Sequence, residues 1–132
     1  MKKPSRKHLV RLLDKAFSDY IRERDGWKCV TCDQTDRERL YCGHLFSRQA
    51  YSTRWSERNA FCQCDACNMR HEYDSYPLTA YFLNEYGREA YDALHRIHRA
   101  TVKFSDANLV GMIQEYRNKL ANLTLTRGCA WN

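Results

Sequence analysis

Two Cys-x-x-Cys pairs constrain this chain more than any other feature. Cys29-Val30-Thr31-Cys32 opens a segment that Cys64-Asp65-Ala66-Cys67 closes. Each pair has the spacing of a zinc knuckle, and four thiolates complete a tetrahedral shell. Cys29, Cys32, Cys64 and Cys67 are therefore read as ligands of one structural Zn2+ per chain, a source of stability for so small a core. Cys42 and Cys62 are read as small apolar interior residues, Cys62 pointing to the opposite strand face from Cys64, and Cys129 as a tail thiol. The 31 residues from Asp33 to Gln63 exceed what a minimal zinc ribbon needs. Something is built inside the clamp, and Gly43, His44 and Asn59 lie in it. Asn68 follows directly on the last cysteine.

Seven cysteines fit a metal site better than a disulfide framework and point to a reducing cytoplasm. At 132 residues the chain is expected to form one domain. No apolar run approaches the length of a membrane span, so no membrane partner is expected. The basic start, Met1 to Lys7, is not followed by the apolar core of a secretion signal. The net charge is +6 with a pI near 9.0, and arginine outnumbers lysine fifteen to seven. The planar guanidinium fork suits phosphate, which points to a nucleic-acid partner, while charge alone is equally compatible with a merely soluble basic surface.

Periodicity gives the elements in order. Residues 2–7 read as a frayed basic arm. Leu9, Leu12, Leu13, Ala16, Phe17, Tyr20 and Ile21 have helical spacing over His8–Arg24, with Gly26 as the stop. The opposite face, with Arg11 and Lys15, reads as solvated. Trp27–Cys32 is the first knuckle and Asp33–Arg39 a turn. Leu40-Tyr41-Cys42 reads as a strand delivering Gly43-His44 to its end. Leu45–Ser56 has no clear period and is read as a loop, Arg58–Cys62 as the returning strand. The second knuckle feeds a short helix from about Ala66. Pro77 opens a helix ending at Gly87, and another covers Arg88–Ala100, with His95 and His98 on its solvated side. Ser105 caps a last helix whose stripe runs from Leu109 to Leu123. That stripe packs on its own chain or serves a two-fold interface. The tail from Leu125 is unassigned.

Strand, loop, strand and helix place His44 at a strand end and Asn68 at a helix start. A histidine there can act as a general base, since an ordinary pKa of about 6.5 leaves it mostly neutral at pH 7. A carboxamide can offer its oxygen to a hard divalent cation. Alone, His44 is as readily a packed or knuckle-bound histidine; the constellation carries the reading.

Gly43-His44-Leu45, Arg54, Asn59, Gln63-Cys64 and Cys67-Asn68 resemble the lambdoid phage NinG (Rap) recombination proteins. The similarity continues through Tyr81–Ala90 and the last helix, roughly Lys28 to Leu123. Those proteins belong to the wider HNH, or ββα-metal, endonucleases, and the arrangement is similar to phage endonuclease VII, a Holliday-junction resolvase. The resemblance implies that His44 is the general base, that Asn59 holds the loop orienting it, and that Asn68 binds a catalytic Mg2+ or Mn2+. Many HNH enzymes carry an Asp or His ligand just before the base. Here that position is Gly43, and His71, Glu72 or Glu57 remain for the second ligand, with His71 preferred because it lies one turn beyond Asn68.

The expected architecture is α+β: a zinc-stapled ββα-metal (HNH-like) core with an N-terminal helix and a helical C-terminal half. Residues 1–26 form the arm and first helix, 27–75 the clamped core, and 76–132 the helical region and tail. The expected activity is metal-dependent hydrolysis of phosphodiesters in branched DNA, such as Holliday junctions and D-loops, during phage recombination in the host cytoplasm. Arg48, Arg54 and Arg58 are the expected phosphate contacts. A homodimer and phage or host recombination proteins are the expected partners. The competing classes are a non-catalytic zinc-stabilised DNA-binding module and a protein-interaction zinc domain.

Overall fold

Ser5 sets the first helix. In the computed structural model, which describes residues 2–130 without the side chains of Cys129 and Ala130, its hydroxyl accepts from the His8 N–H at 3.1 Å. This caps α1, Arg6–Arg24, two residues ahead of its expected start. The tail thiol expected at Cys129 lies outside the described side chains. Gly26 ends the helix in the left-handed region at φ +70°. Leu9, Leu13, the adjacent Ala16 and Phe17, and Ile21 recur at helical spacing and are buried along one face.

That face meets Leu109, Ile113 and Tyr116 of α5, Asp106–Ala130. The start of α5 is capped reciprocally: the Asn108 N–H donates to Ser105 Oγ and the Ser105 N–H to Asn108 Oδ1, each at 3.0 Å. The first half of the α5 stripe is thus used within the chain. Further along, Arg127 donates to the carbonyl of Glu23 and to its carboxylate, holding α5 to the end of α1.

Against α1 lies an antiparallel pair, β1 (Leu40–His44) and β2 (Ala60–Cys64), in register from Leu40↔Cys64 to His44↔Ala60. β2 begins two residues later than expected, because Glu57–Asn59 close a 3₁₀ turn. The segment read as a loop contains one helical turn, α2 (Tyr51–Arg54). Alternation in the pair puts Ala60 and Cys42 against the α1 core. On the other face, Phe61 joins Leu45, Leu78, Phe82 and Leu94 in a second core.

α3 (Asp65–Arg70) follows β2 directly, and α4 (Tyr76–Arg99) carries Pro77 in its first turn. α4 is two helical stretches joined at Gly87, where φ is +85° and ψ 170°, the break its glycine predicts. The histidines expected on a solvated face are partly enlisted. His98 stacks on Phe46 with centroids 4.9 Å apart, its Nδ1 lies 3.1 Å from Thr53 Oγ1, and exposed His95 leans on the same ring. They brace the segment between the strands. The architecture is mixed α+β, mostly helical around a two-stranded sheet.

Candidate functional site

The four knuckle cysteines converge. All four Sγ atoms lie within 4.8 Å of one another, and Cys32 and Cys64 are 3.6 Å apart. Zinc–sulfur bonds of about 2.3 Å in a tetrahedron place sulfurs roughly 3.8 Å apart, so the set is built for one metal ion and compatible with structural zinc. Local backbone prepares it. Asp33, at φ +67°, turns the first knuckle so that its N–H donates to the Cys29 carbonyl at 2.9 Å. Cys64 caps α3, its Sγ accepting from the Cys67 N–H at 3.4 Å. Burial opposes ionisation of Cys29, but the Thr31 hydroxyl and nearby backbone donors outweigh it and bring the thiol down to about 7.

Cys62 requires a correction. Alternate residues of a strand point the same way, so Cys62 shares the face of Cys64 rather than opposing it. It stays outside the ligand set because it lies further back along β2, sealed in the interior. Burial pushes both Cys42 and Cys62 up to about 12. Cys62 is the sealed interior thiol expected, whereas Cys42 is only partly buried and borders the His44 cleft.

His44 closes β1 at the mouth of a cleft of about 540 Å³, whose walls include Ser47, Arg48, Asn68, His71 and Glu72. Its Nε2 lies 2.8 Å from the Arg54 carbonyl oxygen. A carbonyl only accepts, so Nε2 carries the proton and Nδ1 keeps its lone pair. Burial lowers the His44 pKa below its ordinary value, helped by the charges of Arg48 and Arg54, against opposition from the carbonyl hydrogen bond and Asp14. The shift favours the neutral ring.

Asn59 is fully buried and fully used. Its Oδ1 accepts from the Phe46 N–H at 2.8 Å, and its Nδ2 donates to the carbonyls of Phe46 at 2.9 Å and Thr53 at 3.1 Å. One carboxamide thus ties both ends of the segment that presents the Arg54 carbonyl to His44. Asn68 in α3 turns its Oδ1 toward Gly43. His71, at the end of α3, sits with Nε2 2.9 Å from the Leu45 carbonyl, so its Nδ1 also keeps a lone pair, which has no hydrogen-bond partner. Asn68 Oδ1 and His71 Nδ1 fit a divalent cation as donors. Glu72 is exposed at the rim, whereas Glu57 is engaged by Lys119 at 2.7 Å away from the cleft.

The three arginines expected on phosphate have different fates. Arg48 stays exposed beside the cleft, its Nη2 3.4 Å from Asp14. Arg54 is consumed: Nε and Nη2 donate to Asp14 at 3.0 and 2.7 Å, and its side chain is only 13% exposed. Arg58 is not brought to the cleft; its guanidinium lies over the Tyr86 ring, 4.1 Å from the centroid.

Arg6, Lys7 and Arg11 line a groove of about 420 Å³ together with Arg48, Arg54 and Asp14. Arg48 and Asp14 also border the cavity that reaches His44 and Asn68. A basic track therefore runs from the start of α1 to the His44 cleft. The Lys7, Arg11, Asp14 spacing of four and three was the available signal for one shared helix face.

The family model described as Bacteriophage Lambda NinG protein matches residues 1–125. Protein ninG of Escherichia phage 933W is 29% identical over 127 residues, covering 92% of this chain and 61% of that protein. Protein ninG of Escherichia phage lambda is 28% identical over 127 residues, covering 92% and 60%, and that of Salmonella phage P22 is 28% identical, covering 92% and 61%. The chain spans about three fifths of the length of these curated relatives. No solved structure gives a significant match. The matched residues hold both cysteine knuckles, the strand pair and the His44 cleft, and the chain belongs to the bacteriophage lambda NinG family.

Proposed function

We propose that this chain is a metal-dependent endonuclease of the HNH, or ββα-metal, type, hydrolysing phosphodiesters in branched DNA such as four-way junctions and D-loops. The observation that carries the reading is the placing of His44. A general base needs a neutral ring, a fixed tautomer and an open nitrogen. Burial, the Arg54 carbonyl and the cleft supply these in turn. Asn59 clamps the backbone that fixes the tautomer.

Within this reading, His44 Nδ1 takes a proton from the attacking water. Asn68 and His71 would hold Mg2+ or Mn2+ through Oδ1 and Nδ1, a cation that would offset charge on the scissile phosphate and on the leaving 3′ oxygen. The cysteine clamp holds α3 against the strand pair, and Asn68 and His71 line the same cleft as the base. Arg48 and the Arg6, Lys7 and Arg11 track bind the DNA backbone, with Arg54 shaping the cleft through Asp14 rather than touching phosphate.

Symmetric nicking of a junction calls for a two-fold dimer, formed through surfaces other than Leu109, Ile113 and Tyr116, which are engaged on α1. The cytoplasm of the phage-infected cell, with its recombination proteins, is the proposed setting. Nicking of a labelled four-way junction, flap and duplex with added Mg2+ or Mn2+ tests the activity. The non-catalytic DNA-binding module is favoured instead if the zinc-loaded chain binds junctions tightly and nicks none of these substrates with either ion.

A further inference from the structure

We infer that Gln63 is a protein ligand of the catalytic divalent cation, supplying across the strand pair the oxygen that residue 43 lacks. The inference rests on the nuclease reading above and names one more residue of the same site. Strand register provides the opportunity. Gln63 pairs with Tyr41 and is the diagonal neighbour of Gly43 on the same sheet face. A β-carbon built on Gly43 would overlap Gln63 Oε1 and lie 3.1 Å from Asn68 Oδ1. The space of a missing side chain is filled by one carboxamide oxygen and bordered by another.

The orientation of the Gln63 amide follows from the zinc knuckle. Thr31 Oγ1 lies 3.4 Å from Cys29 Sγ and 3.3 Å from Gln63 Nε2. A metal-bound thiolate only accepts, so the single hydroxyl proton of Thr31 goes to sulfur. Thr31 then has only lone pairs to offer Gln63, which must answer with its NH2 group. Oε1 is thereby turned toward Gly43 and Asn68.

That oxygen is buried, in a residue 1% exposed, and has no hydrogen-bond partner. Among the described residues, the other buried side-chain atom in this condition is His71 Nδ1. Gln63 and His71 border the same small cavity between the first knuckle and the start of α4, and His71 also borders the His44 cleft beside Asn68. Both orphaned atoms are lone-pair donors bordering one cavity, and a cation shared between them would satisfy both. Gln63, Asn68 and His71 make a neutral set of two oxygens and one nitrogen. Imidazole suits Mn2+ better than Mg2+, and with no ligand charge the ion binds weakly until a phosphate joins it.

Binding of Mn2+ alone to the zinc-loaded full chain, followed through the paramagnetic resonance of the free ion, tests the assignment. Gln63→Ala is expected to weaken Mn2+ binding about tenfold or more, and Gln63→Glu to tighten it by a similar factor, with zinc content unchanged. Gly43→Asp added to Gln63→Ala returns an oxygen to the same place and should recover the affinity. Unchanged affinity in Gln63→Ala, or weaker binding in Gln63→Glu, overturns the assignment; the latter marks Gln63 as a strut for Asn68. If wild type nicks junctions and His44→Ala does not while the Gln63 variants bind Mn2+ like wild type, the ligand assignment falls and the nuclease reading stands. A wild type that binds no Mn2+, with or without junction DNA, removes both.

Discussion

The Nε2 of His44 donates to the carbonyl oxygen of Arg54 at 2.8 Å, and this single bond decides which nitrogen of the ring can do chemistry. Arg54 contributes here through its backbone, while its side chain is locked on Asp14. The residue read in sequence as a phosphate contact is thus the anchor of the proposed base. Replacing its side chain tests stability; replacing His44 tests catalysis.

His44→Ala is expected to lower junction nicking by about 10²–10⁴, leaving zinc content, folding and gel-shift affinity close to wild type. The four cysteines hold the fold and the basic side chains hold phosphate, whereas His44 takes a proton only during reaction. Asn68→Ala should also nick poorly, but raised Mg2+ or Mn2+ should restore part of its rate and none of that of His44→Ala. Equal nicking by His44→Ala and wild type would remove His44 from the mechanism.

The pH profile follows from the direction of the His44 shift. Only the neutral ring accepts a proton, and its pKa lies below the ordinary histidine value. Under saturating metal, the rate should rise with pH to a midpoint below about 6.5 and stay level from about 7 to 8. The charge of Arg48 lowers this pKa and that of Asp14 raises it, so Arg48→Ala should move the midpoint up and Asp14→Asn down. A single-turnover rate that does not change across this range would contradict the assignment.

Asp14 links α1 to the segment between the strands. One carboxylate takes Arg54 Nε and Nη2 and the Trp55 indole at 2.9 Å. Burial opposes its ionisation, but the hydrogen bonds from Arg54 and Trp55 and the charges of Arg54 and Arg48 outweigh it and hold the carboxyl below its ordinary range. A depressed carboxyl contributes stability above its unfolded pKa and loses it as pH falls through the folded one, here below about pH 4. Asp14→Ala should cost about 1–3 kcal/mol at pH 7 by urea unfolding, discounted for its partial exposure, and much less near pH 3. A cost independent of pH would contradict the linkage.

Much of this was legible in sequence, for identifiable reasons. Cys-x-x-Cys spacing is a local signal, so the ligand set could be read directly. Helical periodicity gave α1, the broken α4 and α5, and Gly43-His44 could be placed at a strand end by its neighbours. Gln63 was hidden because its place depends on register with a strand some twenty residues earlier and on a side chain that Gly43 does not have. The engagement of Arg54 by Asp14 and of Arg58 by Tyr86 was not legible, because those partners are distant in sequence. β2 started late because Asn59, read as part of the returning strand, sits in a 3₁₀ turn and spends its side chain closing the preceding segment.

Zinc should be present at about one per chain, and Cys64→Ser should lose both the metal and cooperative folding, since Cys64 is at once a ligand, the end of β2 and the cap of α3. Cys42→Ala and Cys62→Ala should keep the zinc, because neither belongs to the converging set. Metal analysis with thermal unfolding checks both halves. A soluble, cooperatively folded, zinc-free Cys64→Ser protein would refute the structural role.

The basic track makes the last prediction. Lys7 and Arg11 share a groove with Arg48, and Arg48 also borders the His44 cleft. Phosphates bound along this path release counterions, so each lost contact should lower the slope of log affinity against log salt by about one. Lys7→Ala, Arg11→Ala and Arg48→Ala should each weaken junction binding at low salt and flatten that slope, with little dependence on base sequence. Arg58→Ala should change neither, since its guanidinium is spent on Tyr86 away from the cleft. Arg48 differs from the other two because it also lowers the His44 pKa; only its variant should shift the pH midpoint as well. Gel shifts at stepped salt, using a junction and a duplex of matched length, supply the slopes. If Arg58→Ala flattens the slope and Lys7→Ala and Arg11→Ala do not, the DNA backbone takes another path across the protein.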